Sequence, residues 1–299
     1  MTKVTVITGC TCSGKTAAAI EFALKNNAEI VSCDSVQVYR HMDIGSAKAS
    51  KAELSRVRHH LIDVADVSEI FDVSKYVSCA RAALDDIVSR GKNVVVAGGS
   101  GFYLMAWFAA VVDNLPIDAS IRAESGKIES EGGAEGLAEA LLRIDPDAPK
   151  FVDMRNPRRT KNALERCMAS GKSVAELLDD FSKLPCPMGD LERDLIILEP
   201  DSQTLNESIL SRSRAMVRGG LIDETRALID MGMLENPAAR SAIGYRETVK
   251  WLCSGGSDRE ALAAEIAKNT IALTKKQRKF FRRILEIHSP SLISRLNPS

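Results

Sequence analysis

Three short apolar runs in the first hundred residues each end in a polar or glycine-rich turn. Residues 4–8 (VTVIT) predict a buried parallel strand followed by a glycine turn, and residues 16–25 predict a helix. Residues 29–33 (EIVSC) form a second run that ends at Asp34. Residues 93–97 (NVVVA) form a third, after a helix predicted over 73–89, and it ends at Gly98-Gly99-Ser100-Gly101. Strands alternating with helices predict an α/β fold, a parallel sheet covered by helices on both faces. Ligands on such sheets bind in the loops beyond the carboxyl ends of the strands, where all three turns fall.

The pattern changes after about Pro116. Residues 118–153 are helix-patterned and carry nine acids against four bases, with Gly132-Gly133 among them. A helical insertion domain is expected over 114–190, set into a core of 1–113 and 191–299. One further strand is expected at 195–198, and from Leu205 to about Ile287 the pattern is helical, which gives the core a helical C-terminal part. No internal repeat or low-complexity tract interrupts this order.

Composition narrows the class without naming a partner. The 299 residues are 45% hydrophobic and 27% charged, which excludes a disordered chain. Lysine plus arginine number 40 and aspartate plus glutamate 40, so the whole-chain charge gives no reason to expect nucleic acid. That balance hides segregation. Residues 155–166 hold five bases against one acid, and residues 268–283 hold seven bases and no acid. Such stripes suit phosphate contacts that position RNA without reading it. No apolar run is long enough for a membrane span, and the N-terminus lacks a signal-peptide pattern, so a cytoplasmic protein with no membrane partner is expected. Seven scattered cysteines fit reduced thiols better than disulfides or zinc.

Gly9-Cys10-Thr11-Cys12-Ser13-Gly14-Lys15-Thr16 matches G-x-x-x-x-G-K-[ST] between a strand and a helix, the context that gives this motif its force. Its backbone amides can turn inward around phosphate oxygens, Lys15 adds a point charge, and the Thr16 hydroxyl can hold Mg²⁺. An NTPase would show an apolar strand ending in a carboxylate that holds the metal. The strand best placed for that runs into Gly98-Gly99 instead. The loop therefore suits a diphosphate that leaves better than a triphosphate that is hydrolysed.

The phosphate loop is followed by DSVQVYRHMDIGSAK (34–48), HHLIDV (59–64), GGSGFYL (98–104), NPRRTKNALE (156–165), AIGYRE (242–247) and TKKQRKFFRR (274–283). Together, and in this order, these segments resemble the tRNA dimethylallyltransferases (tRNA isopentenyltransferases) of bacterial type. The resemblance implies a P-loop-type parallel sheet flanked by helices. It also implies transfer of a dimethylallyl group from dimethylallyl diphosphate to N6 of the adenine 3′-adjacent to the anticodon in tRNA, with that base taken out of its stack. The implied partners are Mg²⁺, dimethylallyl diphosphate and a tRNA anticodon stem-loop, and a monomer is expected.

By the same resemblance Asp34 is the general base that takes the amine proton. Lys15, Thr16 and Arg212 neutralise the diphosphate, Arg212 through its bidentate fork. Ser35 and Gln37 match positions that contact the flipped adenine, and Asp34, Val36 and Ser100 are counted with them as binding the tRNA substrate. Arg122 corresponds only loosely to an RNA-contacting position. Arg158, Arg159, Thr160, Lys161 and Asn162 form an RNA-contacting stretch in which the family tends to have Gln first and Arg last. Gly244 and Tyr245 are expected near the RNA, though a packed tyrosine fits the pattern nearly as well. Lys275, Lys276 and Lys279 are expected on an exposed helix side, with Ile266, Leu273, Phe280 and Ile284 on the core side. His59 and His60 are read as structural. Cys10 and Cys12 stand where Pro and Ala are commoner, Ser46 and Ser100 where Thr is usual, and Ser208 where Arg is common. Three alternatives stay open: dimethylallyl transfer to a free adenine nucleotide, a small-molecule P-loop kinase, and a non-catalytic tRNA-binding relative.

Overall fold

The computed structural model describes residues 3–113, 115–189, 191–287 and 293–296. The chain divides into two compact units, Met1–Val111 with Cys186–Ser299, and Val112–Pro185.

The first unit is built on a six-stranded parallel sheet. Its strands are β1 (Lys3–Gly9), β2 (Ala28–Cys33), β3 (His59–His60), β4 (Asn93–Gly98), β5 (Glu192–Leu198) and β6 (Ile293–Leu296), in the order β3-β2-β4-β1-β5-β6. Every pairing is parallel. Both faces are covered, so β1 beyond Lys3 and all of β2 are buried without alternation, polar residues such as Thr5 and Glu29 included. On one face Ile7, Ile30 and Val95 pack against Ala19, Ile20 and Ala23 of α1 (Lys15–Lys25). On the other, Val6, Val31 and Val96 join the larger core. That core takes in α3 (Val73–Ser89) and α4 (Gly101–Met105), and, beyond the short α2 (Lys51–Arg56), the C-terminal helices. These are α8 (Ser202–Arg218), α9 (Leu221–Asp230), α10 (Pro237–Arg240), α11 (Tyr245–Cys253) and α12 (Arg259–Ile287).

Register fixes where the chemistry falls. Gly9 lies opposite Leu198, and Cys33 opposite Gly98, so the loops after β1, β2 and β4 leave the sheet at one edge. The turn at Gly98 tolerates no side chain, because a Cβ there would sit 2.1 Å from the Cys33 carbonyl oxygen.

The second unit is helical: α5 (Ala119–Ile144), α6 (Pro157–Ser170) and α7 (Val174–Ser182). Leu137, Leu141, Leu164, Cys167 and Leu177 form its core. The continuity of α5 is broken at Gly133, whose φ of 59° is non-helical, within the glycine pair of the sequence. Buried Ser125 donates to buried Glu165 at 2.6 Å, and Asp145 accepts from the Val174 amide that opens α7 at 2.8 Å. These polar bonds pin the three helices at sites where an apolar contact would leave direction unspecified.

Candidate active site

The phosphate loop closes on itself before it meets any ligand. The Ser13 amide donates to the Cys10 carbonyl at 3.1 Å, and Lys15 Nζ donates to the same carbonyl at 2.7 Å. Gly14 opens α1 in the left-handed conformation, φ 82°, which a β-carbon disfavours. Cys12 adopts that conformation too, at φ 66°, and as a non-glycine residue there it holds local strain at the loop tip. The buried Ser13 hydroxyl has no hydrogen-bond partner among the described residues. It fills the space above Gly9, where a Cβ would lie 2.6 Å from it.

A cavity of about 320 Å³ opens in front of this loop. Lys15, Thr16, Asp34, Gln37 and Arg212 all line it, together with residues 11–14 of the loop. Burial pushes the Lys15 ammonium down to about 8; Asp34 raises it and Arg212 lowers it further. Lys15 and Arg212 thus share a small polar space with two carboxylates, Asp34 and Glu53, the latter committed to the Ser50 cap of α2. Cys12 and Cys10 thiols are held up by burial, so neither is a ready thiolate.

Asp34 sits just past the end of β2. Its Oδ1 accepts the amides of Val36 at 2.9 Å and Gln37 at 3.3 Å, which fixes the carboxylate and shapes the turn. No described hydrogen bond uses Oδ2. The amide of Ser35 donates to Ser100 Oγ at 2.8 Å, and Ser100 Oγ donates to Ser35 Oγ at 3.1 Å, joining the turns after β2 and β4. Gln37 Nε2 donates to the carbonyls of Ser46 at 3.3 Å and Ala47 at 3.4 Å, leaving its Oε1 without a donor among the described residues.

The Asp43-Ile44-Gly45 turn below Gln37 is held from α9. Glu224 accepts amides from Ile44 (2.8 Å) and Gly45 (3.1 Å), and the Tyr245 hydroxyl donates to it at 2.7 Å. A Cβ on Gly45 would meet the Tyr245 ring at 2.5 Å. Tyr245 is wholly buried, and burial raises its hydroxyl well above the usual phenol range. Of the two expectations for it the packed tyrosine is what is found: the ring supports the turn, and Gly244 is the N-cap of α11, its amide bound by Glu247. Lys48 ties this turn to the following segment, with Nζ 2.5 Å from Asp43 and 2.6 Å from Asp63. His60 pairs with Glu29 at 2.8 Å and His59 with the Val57 carbonyl at 2.8 Å, in keeping with structural parts.

The predicted core side of α12 is found at Ile266 and Ile284, with Phe280 packed against the core, and it is wider than the apolar pattern shows. The buried seam runs through Ile266, Thr270, Thr274, Gln277, Phe281 and Ile284, while Leu273 and Phe280 are only half-buried. Lys275, Lys276 and Lys279 are exposed beside it. Gln277, which the sequence pattern does not single out, accepts the Thr11 amide at 3.0 Å and donates to the Gly99 carbonyl at 3.1 Å. Cys10 faces the same helix, its thiol 3.6 Å from the Thr274 carbonyl, so its side chain points away from the cavity.

In the second unit, Arg122, Arg158, Arg159 and Asn162 are exposed. Thr160 is buried and its hydroxyl donates to the Met154 and Asn156 carbonyls, so as a side-chain RNA contact it is corrected. Lys161 is half-buried and paired with Glu129 at 2.6 Å, which reduces the free charge of the stretch.

Comparison with known proteins identifies the family and the fold. The IPP transferase family model matches residues 37–284. A tRNA dimethylallyltransferase of Opitutus terrae is 46% identical over 283 residues, 95% of this chain and 91% of its own. The chain belongs to the tRNA dimethylallyltransferase family. A crystal structure of the tRNA isopentenylpyrophosphate transferase of Bacillus halodurans superposes with a TM-score of 0.69 at 30% identity, covering 99% of this chain and 90% of that one. A eukaryotic dimethylallyltransferase studied acting on tRNA shares the fold, with a TM-score of 0.84 at 24% identity over 99% of this chain and 74% of its own. Among the described residues no helix is long and apolar enough to cross a membrane.

Proposed function

We propose that this chain transfers the dimethylallyl group of dimethylallyl diphosphate to N6 of the adenine 3′-adjacent to the anticodon of tRNA. The reaction class is that of the family to which the chain belongs. The roles of single residues rest on one observation: Lys15, Thr16, Asp34, Gln37 and Arg212 converge on one cavity from strand-end loops and a helix.

The diphosphate lies on the loop amides at the N-terminus of α1, with Lys15 and Arg212 against its oxygens. The adenine N6 lone pair attacks C1 of the dimethylallyl group. The C1–O bond breaks and its electron pair leaves with the diphosphate. Asp34, already fixed by two backbone amides, takes the N6 proton through the oxygen those amides leave free. Gln37 Oε1 accepts the second N6 hydrogen, since its own amide group is anchored to Ser46 and Ala47.

The donors at the mouth of the cavity, the Thr16 hydroxyl and the Asp34 carboxylate, are hard oxygens. No group of three or more His, Cys, Asp and Glu gathers into a cation cage among the described residues. Such a set fits Mg²⁺ held largely by diphosphate oxygens and water, the usual habit of that ion. When bound it would neutralise the charge that develops on the leaving diphosphate.

One assay decides the reading. Purified protein with Mg²⁺ and labelled dimethylallyl diphosphate is expected to label tRNA and to leave AMP unlabelled. Label on AMP alone, or ATP-dependent phosphorylation in its place, would reject the proposal.

A further inference from the structure

The basic helix α12 and the phosphate loop are separate devices in sequence, with Thr11 and Gln277 separated by 266 positions. In the fold they are bolted together. Gln277 is buried, and its two amide ends are used on two different strand-end loops: Oε1 accepts from the Thr11 amide after β1, and Nε2 donates to the Gly99 carbonyl after β4. One turn earlier the Thr274 carbonyl accepts from the Cys10 thiol at 3.6 Å. One residue later the Arg278 guanidinium stands beside that thiol and counters the upward push of burial on it. The fit around Gln277 is close, since a Cβ on Gly99 would lie 2.8 Å from Nε2. Lys275, Lys276 and Lys279 project from the same two turns into solvent.

We infer that Gln277 is a positioning residue that couples RNA on α12 to the diphosphate loop. A helix held by phosphate contacts on its outer side loses freedom, and a helix hydrogen-bonded to the loop passes that restriction to Thr11 and Gly99. The loop is strained at Cys12 and carries an unpartnered buried hydroxyl at Ser13, so it has an ordering cost that RNA can meet before the diphosphate arrives. Linkage then makes the effect mutual: RNA tightens diphosphate binding and diphosphate tightens RNA binding by one factor. This rests on the proposed reading of the two sites.

The test uses an anticodon stem-loop in which the target adenine is replaced by purine, which lacks the N6 amine and cannot react. Dimethylallyl diphosphate affinity is measured with and without this RNA. The wild type is expected to bind the diphosphate about five-fold or more tightly with RNA present, within the usual range of coupling. Gln277→Met, which keeps the length and loses both bonds, is expected to bring the ratio to about one while RNA affinity alone stays within about two-fold. Gln277→Glu keeps the acceptor for Thr11 and loses the donor to Gly99, and an intermediate ratio is expected. An unchanged ratio in both variants would overturn the inference. Hydrogen exchange on the wild type gives an answer even where the variants fold poorly: RNA without diphosphate should protect the peptide over residues 9–16, and no protection would also overturn it. A protein that prenylates tRNA without coupling loses this inference alone, whereas one that binds neither ligand loses the reading beneath it.

Discussion

At the scale of single residues, the site is a set of groups whose free valences have been reduced by the fold. Asp34 Oδ1 is committed to the turn, so substitution separates its two duties. Asn keeps the oxygen that accepts the Val36 and Gln37 amides and removes the base. Asp34→Asn is expected to lower kcat by about 10²–10⁴-fold, the usual worth of a positioned general base, with the KM for the diphosphate little changed. Steady-state kinetics on tRNA checks this, and near-normal turnover would remove Asp34 from the base role. Lys15 supplies a pH test. In the proposed reading it meets the diphosphate as a cation, and burial pushes its pKa in the folded protein down to about 8. The cation is therefore lost as pH rises through about 8 in the free enzyme, and kcat/KM for the diphosphate should fall there. Bound diphosphate favours the cation, so the corresponding fall in kcat should lie at higher pH. Lys15→Arg should shift the kcat/KM limb upward, and a limb that stays near 8 in that variant would assign it to another group.

At the scale of elements, the strands and turns were the legible part. Burial on both faces makes β1, β2 and β4 mostly apolar runs without alternation, and the glycine turns or Asp34 mark their ends. The two-residue β3 and the short β6 carry too little pattern to be read. The seam of α12 was legible only in part for a definite reason: three of its buried positions are polar. Thr270 and Thr274 satisfy their hydroxyls on carbonyls of their own helix, at 2.8 Å each, and Gln277 satisfies its amide on the two loops. A hydrophobic period cannot show a seam built that way. Tyr245 was ambiguous because its partners, Gly45 and Glu224, are distant in sequence. The exposed lysines of α12 carry the RNA reading by charge alone, and that reading has its own test. Reversing Lys275, Lys276 and Lys279 to Glu should weaken tRNA binding and flatten the slope of log affinity against log salt, by roughly one unit for each phosphate no longer neutralised. A salt series by filter binding measures it, and an unchanged slope would return this side to an ordinary solvated helix face.

At the scale of the whole molecule, zero net charge is the sum of unlike parts. The acid-rich residues 118–153, nine acids against four bases, count against the basic stretches 155–166 and 268–283, so the total hides the local surfaces. Charge also serves the fold. Buried Glu29 on β2 is held by Arg90 through both oxygens, at 2.5 and 2.7 Å, and by His60. The Arg90 hydrogen bonds, set against desolvation, hold its carboxyl down at about 2. A carboxylate with a depressed folded pKa contributes stability that is present above its unfolded value near 4.5 and is lost as pH falls toward 2. Glu29→Gln is expected to cost about 2 kcal/mol at neutral pH, because it leaves a cluster of cations around an uncharged group. It should also flatten the acid limb of the stability curve, which urea unfolding between about pH 5 and about pH 3 would show. An acid limb equal to that of the wild type would place the pH dependence elsewhere.

The central claim is that the cavity joins a diphosphate-borne prenyl group to one adenine of tRNA. The most direct measurement is mass analysis of nucleosides from tRNA treated with the enzyme, Mg²⁺ and dimethylallyl diphosphate. Two tRNAs are compared, one with adenine and one with guanine 3′ to the anticodon. Dimethylallyl-adenosine should appear in the first and be absent from the second, and should fall away with Asp34→Asn. Prenylation spread over adenines elsewhere in both tRNAs, or none in either, would contradict the account.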